Sequence, residues 1–153
     1  MSKIDLSIII VNYKCWDVLA RCIDSFNKYK PHSNYEIIIV DNDSQDDKFN
    51  SFQQQFHEIK LIANKGNYGF SSACNLGADN AKGDFLLFLN PDVTLTSSPA
   101  IDDMFSFASA NPNVGITSCR TLGPNGKRER EVAFLSPWPV SYTHLTLPTT
   151  PYV

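Results

Sequence analysis

The chain has 153 residues and a mass of 17.1 kDa, room for one ordinary domain and not for two independent catalytic ones. Its 42% hydrophobic and 19% charged residues exclude a disordered or collagen-like chain, and 13 Lys+Arg against 16 Asp+Glu exclude a bulk positive field for nucleic acid. The longest apolar runs, Ile8-Ile9-Ile10-Val11 and Phe85-Leu86-Leu87-Phe88-Leu89, fall far short of the roughly 18 residues of a membrane helix. The N-terminus also lacks the apolar stretch and cleavage site of a signal peptide, so a cytoplasmic location is expected.

In chain order, residues 6–11 are a short, almost wholly apolar run, as expected of a strand covered on both faces. Residues 16–29 follow with Trp16, Leu19, Cys22, Ile23 and Phe26 at three- and four-residue steps and Pro31 just beyond, which predicts an amphipathic helix. Residues 35–40 repeat the buried-strand pattern, 46–56 read as a more polar helix, and 59–63 as a third strand. A third helix is predicted over 71–81, closed by Gly83, and 85–89 form a fourth strand. Pro99 at a first helical position, with Ser98 as N-cap, predicts a helix over 99–110; 114–119 read as a further strand and Gly123-Pro124-Asn125-Gly126 as a turn. Strand and helix alternate, which predicts an α/β fold with a mostly parallel sheet and helices on both faces. Residues 132–153 hold no Asp, Glu, Lys or Arg and four of the nine prolines, so 138–153 are expected to be an irregular tail foreign to the domain spanning 1–137.

Four cysteines, Cys15, Cys22, Cys74 and Cys119, form no CxxC pair and read as reduced, mostly buried thiols. His32, His57 and His144 share no ligand spacing, and neither a GxGxxG, a P-loop nor a Gly-x-Ser-x-Gly elbow is present. What stands out is how the strands end. Ligands of open α/β sheets sit beyond the carboxyl ends of the strands. The four predicted runs there are followed by Asn12, Asp41-Asn42, Asn64 and Asn90-Pro91-Asp92. Each alone reads as a turn or cap residue, but on one edge they line a cleft for a hydroxylated ligand. Gly66-Asn67-Tyr68-Gly69-Phe70 adds a corner where backbone N–H groups can meet an anion. Pro91 stiffens the chain before Asp92, whose carboxylate can hold Mg²⁺ or Mn²⁺ jointly with phosphate oxygens and water. Asp43, Asp46 and Asp47 read as a solvated loop and helix start.

Leu6-Ser7-Ile8-Ile9-Ile10-Val11-Asn12-Tyr13, Glu36-Ile37-Ile38-Ile39-Val40-Asp41-Asn42, Asn64-Lys65-Gly66-Asn67-Tyr68-Gly69-Phe70 and Gly83-Asp84-Phe85-Leu86-Leu87-Phe88-Leu89-Asn90-Pro91-Asp92-Val93 together resemble glycosyltransferase family 2, with its GT-A fold. The Asn-Pro-Asp-Val version is most similar to the rhamnosyltransferase-like bacterial branch. The resemblance implies that Val11 and Tyr13 line a base pocket and that Asp41, beside Asn12 and Asn42, accepts hydrogen bonds from the nucleotide. It further implies that Asn64, Gly69 and Asn75 border the nucleotide-sugar, and that Asp92 is the metal ligand of the DXD motif, with Asn90 at its first position. The implied reaction is transfer of a sugar with inversion from a UDP- or dTDP-sugar to a glycan or lipid-linked acceptor at the inner face of the membrane. The general base that the resemblance places downstream of the DXD position has no clear counterpart here, since Glu129 and Glu131 lie in a charged stretch. The chain is therefore expected to be the donor-binding half, incomplete at its C-terminus, with an uncovered apolar surface that favours a homo-oligomer. Two rivals remain: a non-catalytic nucleotide-sugar-binding or interaction module, and a sugar-phosphate nucleotidyltransferase. The second requires a Gly-rich basic loop where Asn12-Tyr13-Lys14-Cys15 stands.

Overall fold

The computed structural model describes residues 3–97, 99–119, 122–123 and 126–127. The predicted cap Ser98, the tail, Glu129, Glu131 and the two central residues of the predicted turn lie outside them.

The apolar run at the start forms strand β1 (Leu6–Asn12), buried along its whole length. It is the centre of the sheet, because β2 (Tyr35–Asp41) and β4 (Phe85–Leu89) both pair with it in parallel while β3 (Lys60–Ala63) adds outside β2. The order is β3-β2-β1-β4, so the chain winds one way from β1 to β3 and then returns to the opposite side of β1. In open α/β sheets ligands bind beside such a reversal, at the carboxyl ends of the strands.

Helix α1 (Trp16–Lys28) buries Trp16, Leu19, Cys22, Ile23 and Phe26 on the even-numbered face of β1, where Leu6, Ile8 and Ile10 project. Full burial of Leu19 and Phe26 contributes roughly 1.5–3 kcal/mol each. Helix α2 (Lys48–Gln55) joins the same face through Phe52, whose ring lies 5.1 Å from Trp16, and α4 (Pro99–Ala110) does so through Ile101. Among the described residues, helix α3 (Phe70–Ala78) alone covers the other face, where Ala73 and Cys74 meet Val11 and Val40. Gly77 lets it approach closely, since a Cβ there would stand 2.5 Å from Ile9 Cγ2.

Several expectations are corrected. Helix α2 begins at Lys48 rather than residue 46, because the Asp46 carboxylate accepts the Trp16 indole N–H at 2.9 Å and the Lys48 N–H at 3.0 Å. Asp46 is thus a clamp between α1 and α2 as well as a solvated residue. Helix α3 stops at Ala78, where Asn80 Nδ2 donates to the Leu76 carbonyl at 2.9 Å. Gly83 is not its cap: it passes against β1 so tightly that a Cβ would meet Ser7 N at 2.5 Å and Leu6 C at 2.7 Å. No strand forms over 114–119, where Ile116 is 93% exposed and no neighbouring strand completes a ladder among the described residues. Among the described residues, strand β4 is covered on one face only, leaving Leu86 and Phe88 45% and 48% exposed. Cys22 and Cys74 are buried, whereas Cys15 is half-buried and Cys119 exposed; all four are free thiols.

The chain divides into two compact units, Met1–Thr117 and Ser118–Val153. In the second, the Gly126 N–H donates to the Gly123 carbonyl at 2.8 Å, the i to i+3 bond of a turn. Among the described residues no helix is long and apolar enough to cross a membrane.

Candidate functional site

Parallel register fixes which strand ends stand together. Asn12 is level with Asp41, Asp41 with Ala63, and Ile10 with Leu89, so Asn12, Asp41, Asn64 and Asn90 all emerge on the same carboxyl edge. Asp41 and Asn90 lie on the two strands flanking β1, about 10 Å apart at two strand spacings. Asp92 follows on the same edge.

Two hydrogen-bonded clusters occupy this edge, one on each face of the sheet. On the α1 side, Asn12 Nδ2 donates to Asp41 Oδ1 at 2.7 Å and to Ser44 Oγ at 3.2 Å. The Ser44 hydroxyl donates to Asp41 Oδ1 and its N–H to Asp41 Oδ2 at 3.1 Å. Asn12 Oδ1 in turn accepts the Cys15 N–H and thiol at 3.4 and 3.2 Å. Asn12, Asp41 and Ser44 are buried, and every polar atom of the Asn12 side chain is engaged. On the α3 side, Asn64 Nδ2 donates to Asn42 Oδ1 at 3.0 Å and Asn42 Nδ2 to Asn67 Oδ1 at 2.8 Å. The Gly69 N–H also reaches Asn67 Oδ1, at 3.2 Å. Asn67 thereby folds the loop that lets Gly69, at φ +88°, open α3.

The remaining candidates are spread around these clusters. Tyr13 is exposed, with the Lys14 ammonium 5.2 Å from its ring. The Val11 side chain is packed in the core beneath α3, so only its backbone can border a ligand. Asn75 sits half-buried in α3 and makes no side-chain bond to either cluster. Asn90-Pro91-Asp92-Val93 is a tight turn in which the Val93 N–H donates to the Asn90 carbonyl at 3.2 Å, with Pro91 at the second position that its fixed φ favours. Asn90 and Asp92 are exposed, and neither side chain is tied down by a hydrogen bond. Burial, followed by the charge of nearby Asp92, pushes the Cys22 thiol up to about 12.

Among the described residues no three His, Cys, Asp or Glu side chains gather as a protein-only metal cage. A lone exposed carboxylate fits Mg²⁺ or Mn²⁺ when substrate phosphates and water complete the shell. A cavity of about 560 Å³ lies elsewhere, lined by Ile23, Phe26, Tyr35, Ile37 and Phe56 near the ends of α1 and α2, and contains none of the candidate residues.

The sequence reading missed Ser44 and the part Asn67 plays in joining Asn42 to the Gly69 N–H. The signal for Ser44 was its place three residues after Asp41, a spacing at which Asp side chains accept backbone N–H groups.

Residues 7–151 match the family model described as Glycosyl transferase family 2. The poly(ribitol-phosphate) beta-glucosyltransferase of Bacillus spizizenii is 32% identical over 127 residues, covering 80% of this chain and 20% of that protein. Among solved structures, the mannosyltransferase PcManGT of Pyrobaculum calidifontis, in complex with GDP-Man and Mn²⁺, is 19% identical with a TM-score of 0.70, over 82% of this chain and 37% of that one. Residues 1–349 of S. aureus TarS, in complex with UDP-GlcNAc, are 20% identical with a TM-score of 0.59, over 71% of this chain and 32% of that one. These likenesses show the GT-A fold. The chain spans a fifth of the length of that relative and about a third of the solved chains.

Proposed function

The chain belongs to glycosyl transferase family 2, and from that premise we propose that it binds a nucleotide-sugar donor, a UDP- or dTDP-sugar, for inverting transfer to a glycan or lipid-linked acceptor. The observation that carries the reading is the convergence of Asn12, Asp41, Asn42 and Asn64 on one edge, at the carboxyl ends of β1, β2 and β3. Asp41 accepts hydrogen bonds from the nucleotide, Tyr13 and the Val11 backbone border the base, and Asn64 and Gly69 flank the donor on the α3 side. Asn75 remains a donor contact in this proposal through α3, and Asn90 through the turn after β4.

Asp92 is the residue that would hold Mg²⁺ or Mn²⁺, and such an ion supplies Lewis-acid stabilisation of the charge that builds on a departing diphosphate. The protein's own contribution is orientation: two pre-bonded clusters present fixed acceptors and amide donors, so little ordering remains to be done when the donor arrives. No residue of the chain is assigned as the base for the acceptor hydroxyl. The donor-binding region is proposed to extend over residues 1–137, to act at the inner face of the membrane, and to self-associate through the uncovered Leu86 and Phe88 of β4.

Titrating UDP- and dTDP-sugars into the chain with Mn²⁺ tests the reading. Saturable binding of one of them is expected, and no affinity for any of them removes it. A non-catalytic module would bind the donor but neither transfer its sugar nor slowly release it to water.

A further inference from the structure

Among the described residues, only three other than glycine hold φ in the left-handed region: Lys14 at 56°, Asp43 at 67° and Gln45 at 53°. Asp43 and Gln45 flank Ser44, and the Lys14 N–H donates to Ser44 Oγ at 2.9 Å. All three unfavourable turns therefore meet at one buried hydroxyl, 2% exposed as a residue. Such backbone persists only where surrounding contacts over-determine it. Here the contacts are those of Ser44. Its hydrogen goes to Asp41 Oδ1 and its lone pairs accept Lys14 N–H and an Asn12 Nδ2 hydrogen, which uses the full capacity of a hydroxyl.

We propose that Ser44 is a positioning residue that joins the β1–α1 and β2–α2 loops and so sets the affinity and base preference of the donor site without touching the donor. The inference rests on the reading that Asp41 and Tyr13 border the nucleotide. Asp41 Oδ1 is occupied by Asn12 and Ser44, and Oδ2 accepts the Ser44 N–H, so an acceptor position stays open on Oδ2. The Ser44 hydroxyl bonds to Oδ1 and its backbone N–H to Oδ2, which together fix where that open position points. The bond to Lys14 sets where the adjacent Tyr13 stands. Without the hydroxyl, both walls of the base pocket lose their common tie, while the sheet and the α1 core remain.

The test is calorimetric titration of UDP, dTDP and GDP into the 153-residue chain and its Ser44→Ala and Ser44→Cys variants, with far-UV circular dichroism beside it. Ser44→Ala should keep the wild-type spectrum, bind the preferred nucleotide about tenfold more weakly, and discriminate less among the three. Ser44→Cys, a similar volume with a weaker donor, should fall between, and it carries the test alone if the alanine variant does not fold. Affinities within twofold of wild type would overturn the proposal. Equal weakening for all three nucleotides would overturn it too, because a merely destabilised chain behaves that way. A wild-type chain that binds none of the three refutes the donor-site reading itself, and this inference falls with it.

Discussion

Replacing Asp41 by alanine removes the acceptor of three hydrogen bonds from buried or nearly buried groups: Asn12 Nδ2, the Ser44 hydroxyl and the Ser44 N–H. The Asn12 amide keeps a partner in Ser44 Oγ, but the two Ser44 donors are stranded. A stranded buried donor costs about 1–3 kcal/mol, and water entering from the cleft recovers part of it, so the net loss is about 2–4 kcal/mol. Spread over a domain of this size, that lowers the melting temperature by roughly 5–15 °C. Asp92→Asn removes a carboxylate that is exposed and has no hydrogen bond to lose, so its melting temperature should stay within about 2 °C of wild type. Binding should separate the two by its dependence on metal. Measured at 10 °C, where both variants are folded, Asp41→Ala should weaken UDP by roughly 10- to 150-fold with or without Mn²⁺, the loss of one hydrogen bond to a charged group. Asp92→Asn should abolish only the strengthening that Mn²⁺ brings. Thermal melts and calorimetry check both halves, and an Asp41→Ala chain that melts and binds like wild type would refute the reasoning.

Gly83→Ala should destabilise the chain by about 1–3 kcal/mol in urea unfolding, since its Cβ would collide with β1 backbone and with the Ser7 hydroxyl that holds the Lys82 and Gly83 N–H groups; UDP affinity of the folded fraction should not change. Burial pushes the Asp102 carboxyl up, but the N–H groups of His32 and Ser33, with the side chains of both residues, outweigh it and hold it well below the usual carboxylate range. Because the folded value is depressed, its stabilisation is complete above the unfolded value of about 4 and fades as pH falls below it. The stability gap between wild type and Asp102→Asn should therefore be constant near neutrality and close in acid. Burial raises the Cys22 thiol to about 12 and the Cys74 thiol to about 11, so iodoacetamide at pH 8.5 should label Cys119 first, Cys15 more slowly, and Cys22 and Cys74 only after denaturation, as read by mass spectrometry.

The elements most legible in the sequence were those whose apolar pattern and punctuation agree. Helix α1 has five buried residues at helical spacing, and α4 starts at a proline and ends within its expected bounds. Strands β1 and β2 were legible as apolar runs because both lie inside the sheet. The same logic misled at 114–119, since apolar content does not supply a neighbouring strand. It also misled at β4, where a continuous Phe/Leu run looked like two buried faces although, among the described residues, only α3 lies on the second and it packs on β1 and β2. At the site, the strand-end argument located Asn12, Asp41, Asn42 and Asn64, because register follows from parallel pairing. Ser44 escaped because its importance comes from left-handed turns at Lys14 and Gln45, residue types that do not announce such backbone.

The chemistry of the edge follows from which polar groups were placed there. Asn12, Asn42, Asn64, Asn67 and Asn90 are amides, and the acids are Asp41 and Asp92, with Asp43, Asp46 and Asp47 in the loop after β2. A diphosphate is repelled by carboxylates and welcomed by donors, and an amide can both donate to phosphate or sugar oxygens and accept from hydroxyls. The Asp41 charge is answered inside the protein by three donors, which on the proposed reading would let it accept from a base with little field projected toward the phosphates. Asp92 is the exposed carboxylate on the turn after β4. One exposed carboxylate is too little to hold a divalent ion firmly by itself, yet sufficient once phosphate oxygens share the ion. On the proposed donor-site reading, Asn90 in place of a second acid would weaken ion binding before the nucleotide arrives and lessen repulsion of the donor, so that ion capture would follow nucleotide binding.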